Sequence, residues 1–314
     1  MVNAYEHIPV LKYEIGEIFR PVMEQKEPVL VDATVGLGGH AKYMLNLYPH
    51  LKIIGIDRDS EAIDYVESNL SEFSERITLA HDTFDRLDEV LGVNKINSVS
   101  GFFFDLGLSS MQIDNPKRGF SWRNSDKLDM RMDQADPEDA HEYLNTVDQF
   151  QLTEIFRGNS EERYAPLIAK AIIKARAKQN IDTTAQLNEI IKKSIPKGKN
   201  PAPIIQRVYQ ALRIEINHEI PMLKFGLEKA VKYLTVGGII AVISYHSLED
   251  RLVKYYFKSL TNVPDSILGA NLSEVEPNFL SINRNAKAIM PKIEEQEYNS
   301  RSHSARLRAV QRIH

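Results

Sequence analysis

In the first 105 residues, four short apolar runs (29–31, 52–56, 77–80 and 99–104) are each followed within two residues by an aspartate: Asp32, Asp57, Asp82 and Asp105. The amphipathic stretches "GHAKYMLNLY", "DSEAIDYVESNL" and "DTFDRLDEVLG" lie between them. Strands alternating with helices predict βαβ units around a parallel sheet. The rhythm stops after "FFFDLGLSS". From about residue 111 to 213 the patterns are helical only, as in "EERYAPLIAKAIIKARAKQ", where Tyr164, Ile168, Ile172 and Ala175 share one face. It resumes with a long helix ("IEINHEIPMLKFGLEKAVKYL"), a strand ("GGIIAVISYH") and a helix ("LEDRLVKYYFKSL"). The expected fold class is α/β, a Rossmann-like doubly wound sheet interrupted by a helical insert. Its expected parts are 1–111, an insert at 112–212, and 213–314. "PKGKNPAP" (196–203) is the best linker candidate.

With 314 residues, 43% hydrophobic and 26% charged, the chain can bury a sizeable core. No apolar stretch approaches the roughly 20 residues of a membrane span, and "MVNAYEHIPV" lacks the charged-then-apolar layout of a signal peptide. A cytoplasmic protein without membrane partners is expected. The sequence has no cysteine, which excludes disulfides, thiolate metal sites and cysteine nucleophiles. The net charge of −4 is unevenly spread: residues 163–213 carry eleven Lys or Arg against two acids, Asp182 and Glu189, and residues 300–314 carry four arginines and no acid. Two basic zones on an acidic chain point to a polyanionic partner; solvated lysine-rich helix faces are the alternative for the middle zone. Oligomeric state is left open, a homodimer included.

"DATVGLGGH" (32–40) places a glycine-rich turn between a strand and a helix. Gly36, Gly38 and Ala41 satisfy the G-x-G-x-x-G/A dinucleotide pattern, with Asp57 near the expected distance. Glycines permit the tight turn, and backbone N–H groups face whatever approaches. Asp32 discriminates between ligands: a carboxylate before this loop repels a pyrophosphate and attracts the α-ammonium of S-adenosylmethionine. Asp57 serves either ligand through ribose hydroxyls, while Asp82 and Phe84 are placed to bond an adenine amino group and cover its face.

Asp105 closes the fourth run at the edge where ligands of such sheets bind, which makes it the catalytic candidate; a cap for the following helix is the competing reading. Without a cysteine, C5 methylation of a pyrimidine is excluded, and exocyclic nitrogen or oxygen acceptors remain. The amino group of cytosine is a poor nucleophile, because its lone pair is delocalised. Asp105, with Ser109, Ser110 or a backbone carbonyl, can accept its N–H bonds and align it. His246 and Glu249 have a three-residue spacing that is weak evidence for a metal, so no metal is expected.

These residues resemble the bacterial methyltransferases that modify N4 of a cytidine in the decoding centre of 16S ribosomal RNA. The resemblance runs through "HIPVL" (7–11), "DATVGLGGH", "IDRDSEAI" (56–63), "FFDLGLSSMQID" (103–114), "RGFSWR" (118–123), "LDMRMD" (128–133), "QALRIEIN" (210–217), "SYHSLEDR" (244–251) and "NSRSHSARLR" (299–308). It implies a class I S-adenosylmethionine-dependent methyltransferase acting on 16S rRNA or the small ribosomal subunit. It also implies that Gly38, Gly39, His40, Asp57, Phe84, Asp105 and Gln112 line the cofactor site, beside an RNA-binding insert. Arg118, Phe120, Trp122 and Arg123 of "RGFSWR" have a composition suited to stacking a splayed base near phosphates, or else Trp122 anchors the insert. Arg207, Arg213, His246, Arg251 and Arg301 are further RNA candidates. Two departures put substrate positioning in question. "NPAPIIQRVYQALR" (200–213) has Asn200 where the family reads histidine, with extra residues before "QALR". "NSDKLDMRMD" has Asp126-Lys127-Leu128 for the usual Asp-Gly-Pro-Leu.

Overall fold

The computed structural model describes residues 8–123, 125–262 and 278–314. The motifs beginning at His7 and Asn124 therefore each start on a residue outside those described, as does most of "MVNAYEHIPV". The chain divides into two compact units, residues 1–107 with 221–314, and residues 108–220.

The first unit is built on a seven-stranded sheet. Its elements are α1 (Lys12–Met23), β1 (Val29–Asp32), α2 (Gly39–Leu47), β2 (Lys52–Asp57), α3 (Ser60–Asn69), β3 (Ile77–His81), α4 (Leu87–Val93) and β4 (Val99–Asp105). After the second unit come α11 (Glu219–Tyr233, whose first two residues belong to that unit), β5 (Leu234–Ser244), α12 (Ser247–Thr261), β6 (Phe279–Ser281), α13 (Ile293–Tyr298) and β7 (Arg306–Arg312). The strand order is β3-β2-β1-β4-β5-β7-β6. β1 to β5 run parallel, and β7 is antiparallel to both β5 and β6. Because side chains alternate across a strand, the three phenylalanines before Asp105 divide. Phe103 joins one core with α1, α2 and α3, while Phe102 and Phe104 join another with α4, α11 and α12. Between β1 and β4 the strand order reverses, and the loops leaving their carboxyl ends form the crevice where open α/β sheets bind ligands.

The four expected strands are present, each extending one residue further to the acid or histidine at its end. β6 and β7 were not anticipated. The arginines of 300–314 obscured β7, in which Leu307, Ala309 and Val310 are buried, and Arg308 is buried on a bidentate contact with Asp250. Half of that basic zone is thus internal pairing, since Arg306 also reaches Asp250, at 2.9 Å.

The second unit is helical: α5 (Ser110–Asp114), α6 (Ala140–Thr146), α7 (Gln149–Gly158), α8 (Ala165–Arg176), α9 (Thr184–Ser194) and α10 (Ala202–Ile216). The long helix expected from residue 214 is two helices. α10 runs on to Ile216, Asn217 caps it, and His218 turns the chain at φ 49° before α11. For the same reason the second unit ends at 220 and not at 212, since α10 has no break there. "PKGKNPAP" is a short connection between α9 and α10 inside this unit and joins no domains; Asn200 Oδ1 accepts from Ala202 N at 3.1 Å at the start of α10. No helix among the described residues is long and apolar enough to cross a membrane.

Candidate active site

The loop from β1 into α2 is shaped by its glycines, but they do different work. Gly36 and Gly38 have φ of 51° and 75°, the left-handed region that favours glycine. A Cβ on Gly38 would lie 2.9 Å from Leu70 Cδ1, and one on Gly39 would lie 2.8 Å from Pro9 Cγ. These two glycines are required by the packing of α2 against α3 and the N-terminal segment. Gly36 has room on its Cβ side, the nearest atom there being the Thr34 carbonyl oxygen at 3.8 Å.

Three of the strand-end aspartates surround this loop. Asp57 fastens it, accepting from Gly36 N at 2.8 Å and from Asp59 N at 2.9 Å. Asp32 is 2% exposed and accepts only a long bond from Thr34 N, at 3.4 Å. The Thr34 hydroxyl accepts from Asp105 N at 2.7 Å, tying the ends of β1 and β4 together. Asp105 itself is held on one oxygen and approached on the other: the Tyr245 hydroxyl donates to Oδ1 at 2.8 Å, and His40 Nδ1 lies 3.4 Å from Oδ2. It retains 23% side-chain exposure. Asp105 is not a helix cap, because Ser109 caps α5.

Burial removes water from these carboxylates and penalises their charged forms. Asp32 is pushed up to about 8, first by desolvation and then by repulsion from Asp105 and Asp57, with the Thr34 bond opposing. Desolvation also raises Asp57 to about 6 against its two backbone bonds, and Asp105 to about 7 against the Tyr245 bond. His40 goes the other way: burial lowers it to about 4, so its ring is neutral. Asp32 thus holds a proton at neutral pH, and the repulsion it was expected to exert on a pyrophosphate is largely absent. What the cluster favours is a cation, whose arrival would ionise groups that are otherwise kept neutral.

Asp82 lies beyond β3, where it accepts from Thr83 N at 2.8 Å and faces Arg86 at 3.4 Å. Phe84 is half-buried, edge-on to Phe104 with ring centroids 5.7 Å apart, and fits only because residue 226 is glycine, where a Cβ would lie 2.7 Å away. His246 and Glu249 satisfy each other as the capping box of α12: Glu249 N reaches His246 Nδ1 at 3.4 Å, and the Glu249 carboxylate accepts from the backbone N–H of His246 and of Tyr245. This capping gives their three-residue spacing a structural role. Arg251 is exposed on α12, and Arg301 is half-buried in the turn before β7.

In the second unit several expected ligand contacts are internal instead. Gln112 is buried, its Oε1 accepting from Ser109 N at 3.0 Å, and Ser109 Oγ accepts from Gln112 N in return. The two side chains thus form the capping box of α5, and Ser110 is buried. Arg118 is 1% exposed and donates to the carbonyls of Met132 and Arg131 at 2.7 and 3.1 Å. It cannot hold a phosphate, and Phe120 beside it is equally buried in the helical core. Gly119 is obligatory between them, with φ 70° and a Cβ position 2.3 Å from the Lys127 carbonyl. Trp122 packs partly buried against the same core and its carbonyl accepts from Asn188 at 2.7 Å, whereas Arg123 is exposed. Arg207 bonds fully buried Glu162 at 2.7 Å, and Arg213 forms two 2.8 Å bonds to Glu219. These arginines brace helices. The departure at 126–128 is likewise internal, since Asp126 N donates to Thr184 Oγ1 at 2.9 Å and Lys127 pairs with Asp139 at 3.0 Å.

Tyr245 and Thr34 were overlooked, although each touches Asp105. The adjacency of β4 and β5, which the linear sequence does not state, brings Tyr245 there.

Comparison with known proteins gives the family. The MraW methylase family model matches residues 4–313. Proteins named "Ribosomal RNA small subunit methyltransferase H" are 42% identical in Caldicellulosiruptor saccharolyticus, over 98% of this chain and 100% of that one, and 43% identical in Tropheryma whipplei, over 98% and 95%. The protein of that name from Mycobacterium tuberculosis is 40% identical over 99% of this chain and 81% of its own. With a family model spanning almost every residue and relatives this similar over their length, the chain belongs to the MraW methylase family.

Proposed function

We propose that the protein is an S-adenosylmethionine-dependent methyltransferase acting on N4 of a cytidine in the decoding centre of 16S ribosomal RNA, in the cytoplasm. The observation that carries the cofactor is the cluster of Asp32, Asp57 and Asp105 around the Gly36 turn, all raised by burial and suited to a ligand bearing positive charge. A dinucleotide is disfavoured by family membership more than by Asp32, which is neutral at pH 7. Asp32 would hold the ammonium, Asp57 the ribose hydroxyls, and Asp82 with Phe84 the adenine. The cofactor supplies an already activated methyl group, so the chain needs only to align the acceptor and remove a proton. Asp105 does this as the partly exposed carboxylate at the end of β4, accepting an N–H of the amino group and so fixing its orientation. RNA phosphates are left to exposed side chains: Arg123, Lys170, Lys174, Lys178, Lys193, Lys197 and Lys199 in the second unit, and Arg251 in the first.

The test is transfer of labelled methyl to small ribosomal subunits from a strain lacking the gene, followed by nucleoside analysis, with wild-type protein and Asp105→Asn. N4-methylcytidine from wild type only is expected. Label in another nucleoside would move the target and implicate the altered 200–207 segment. RNA binding without label would replace the reading with that of a non-catalytic binding factor.

A further inference from the structure

We propose that His40 is the proton terminus of this site, taking through Asp105 the proton that leaves the acceptor amino group; the proposal rests on the methyl-transfer reading above. His40 Nε2 lies 2.8 Å from the Val10 carbonyl. A carbonyl can only accept, so Nε2 carries the hydrogen, and in a neutral ring Nδ1 is then a bare lone pair. That lone pair is turned toward Asp105 Oδ2 at 3.4 Å. The Phe103 ring, with centroids 4.8 Å apart, and burial of the imidazole keep it from turning away. Two lone pairs facing each other repel, whereas a single proton placed between them turns the contact into a bond. The pair is therefore built to take up one proton. Tyr245 is no source of it, since its hydroxyl already donates to Oδ1.

The reaction calls for such an acceptor. One N–H bond of the amino group breaks and one N–C bond forms. The N–H electron pair stays on nitrogen, and a proton must go elsewhere. Asp105 takes it as a carboxyl, and the Oδ2–H···Nδ1 contact holds it until product leaves and solvent receives it. Competence requires the pair to be empty beforehand, with Asp105 ionised and His40 neutral. The groups that bias this state are Tyr245 and Glu249 at the end of β5 and start of α12, Asp32 at the end of β1, and Glu295 on α13, whose charge supports a protonated ring. Because the two sites share one proton, the apparent pKa belongs to the pair and sets the acidic limb of the rate profile. His40 is a positioning and proton-holding residue behind Asp105, not one that touches the acceptor.

Two measurements on the full-length protein test this. The first is independent of turnover: imidazole nitrogen shifts of ¹⁵N-histidine-labelled protein without cofactor. The Nε2–H tautomer is expected, with an Nδ1 signal that titrates with the pair and stops doing so in Asp105→Asn. An Nδ1–H tautomer, or titration indifferent to Asp105, overturns the proposal. The second is His40→Gln, whose amide can still donate to Val10 but which has no Nδ1. At saturating S-adenosylmethionine, single-turnover methyl transfer should fall by roughly 10²-fold and its acidic limb should shift, whatever the change in cofactor affinity. Tyr245→Phe, which keeps the Nδ1–Oδ2 pair but removes a donor that stabilises the carboxylate, should move that limb upward. If His40→Gln loses ligand binding and rate in parallel with an unshifted profile, His40 merely packs the loop and the proposal fails. If wild type methylates no cytidine, the functional reading fails, and the nitrogen shifts still report on the pair.

Discussion

Replacing Asp32 by asparagine removes a charge that, near neutral pH, is carried by a minority of molecules until the cofactor binds. The folded carboxyl has its pKa at about 8, so at pH 6 nearly every molecule holds the proton, and at pH 7.5 about a quarter have lost it. An ammonium beside Asp32 favours the ionised form by a Coulombic term of about 4 kcal/mol at an effective dielectric near 20. Binding must therefore pull the proton off, and affinity follows the fraction already ionised. The sign is fixed: affinity rises with pH through the range below 8. Between pH 6 and 7.5 the wild-type dissociation constant for S-adenosylmethionine should tighten by roughly 20-fold through Asp32 alone. Asp32→Asn should lose that part of the slope and keep only what Asp57 and Asp105 contribute, so that the gap between the two proteins widens by the same factor. Calorimetric titration at pH 7 in two buffers of different ionisation enthalpy gives a second reading, with release of nearly one proton from wild type and much less from the variant. The reasoning is refuted if the variant keeps the wild-type slope, or if binding takes up a proton instead of releasing one.

Without cofactor the same burial acts on stability. Asp32, Asp57 and Asp105 keep protons up to about 8, 6 and 7 that the unfolded chain releases near the ordinary aspartate value of 3.8, so their contribution is present at low pH and lost as pH rises toward 8. His40 has the opposite sign, costing stability as pH falls from 6.5 toward about 4. The stabilisation of cofactor-free protein by Asp32→Asn should accordingly grow from pH 5 to pH 8, with a ceiling of about 4 kcal/mol at neutral pH, as read by thermal melts at each pH. Gly119→Ala meets the Lys127 carbonyl at 2.3 Å and should destabilise the second unit by roughly 3 kcal/mol or more, measured by denaturant unfolding. Arg118→Met should likewise unfold that unit, leaving carbonyls unbonded, and lower RNA affinity only in proportion to the unfolded fraction. Lys197→Glu with Lys199→Glu, both exposed, should leave melting unchanged to within about 1 kcal/mol and flatten the salt dependence of RNA binding. An unchanged salt slope would remove that loop from the RNA footprint.

The sheet and the four aspartates that follow its strands are legible in the sequence because both rest on local patterns: short continuous apolar runs, and an acid within two residues of the end of each. Charge state is not local in this way. Asp32 reads as a permanent anion in "VLVDATVG", yet its behaviour depends on Asp57 and Asp105, 25 and 73 positions further along the chain, and on the depth at which the sheet places it. The same failure explains the arginines. "RGFSWR" and "QALR" advertise cations, and nothing in either stretch says that Arg118 turns inward to backbone carbonyls or that Arg213 faces Glu219. A buried cation needs partners distant in sequence, whereas an exposed one needs none, so residue type alone overstates the nucleic-acid surface wherever a helical unit is small and closely braced. This gives the lysines of 170–199 more weight than any of the motif arginines except Arg123. Lysine is rarely buried without a partner, and most of these stand on exposed helix ends and on the α9–α10 connection. If phosphate binding resides there, charge reversal at Lys197 and Lys199 should weaken RNA binding while leaving cofactor affinity intact. Arg118→Met, at temperatures where the protein stays folded, should change neither RNA binding nor cofactor affinity.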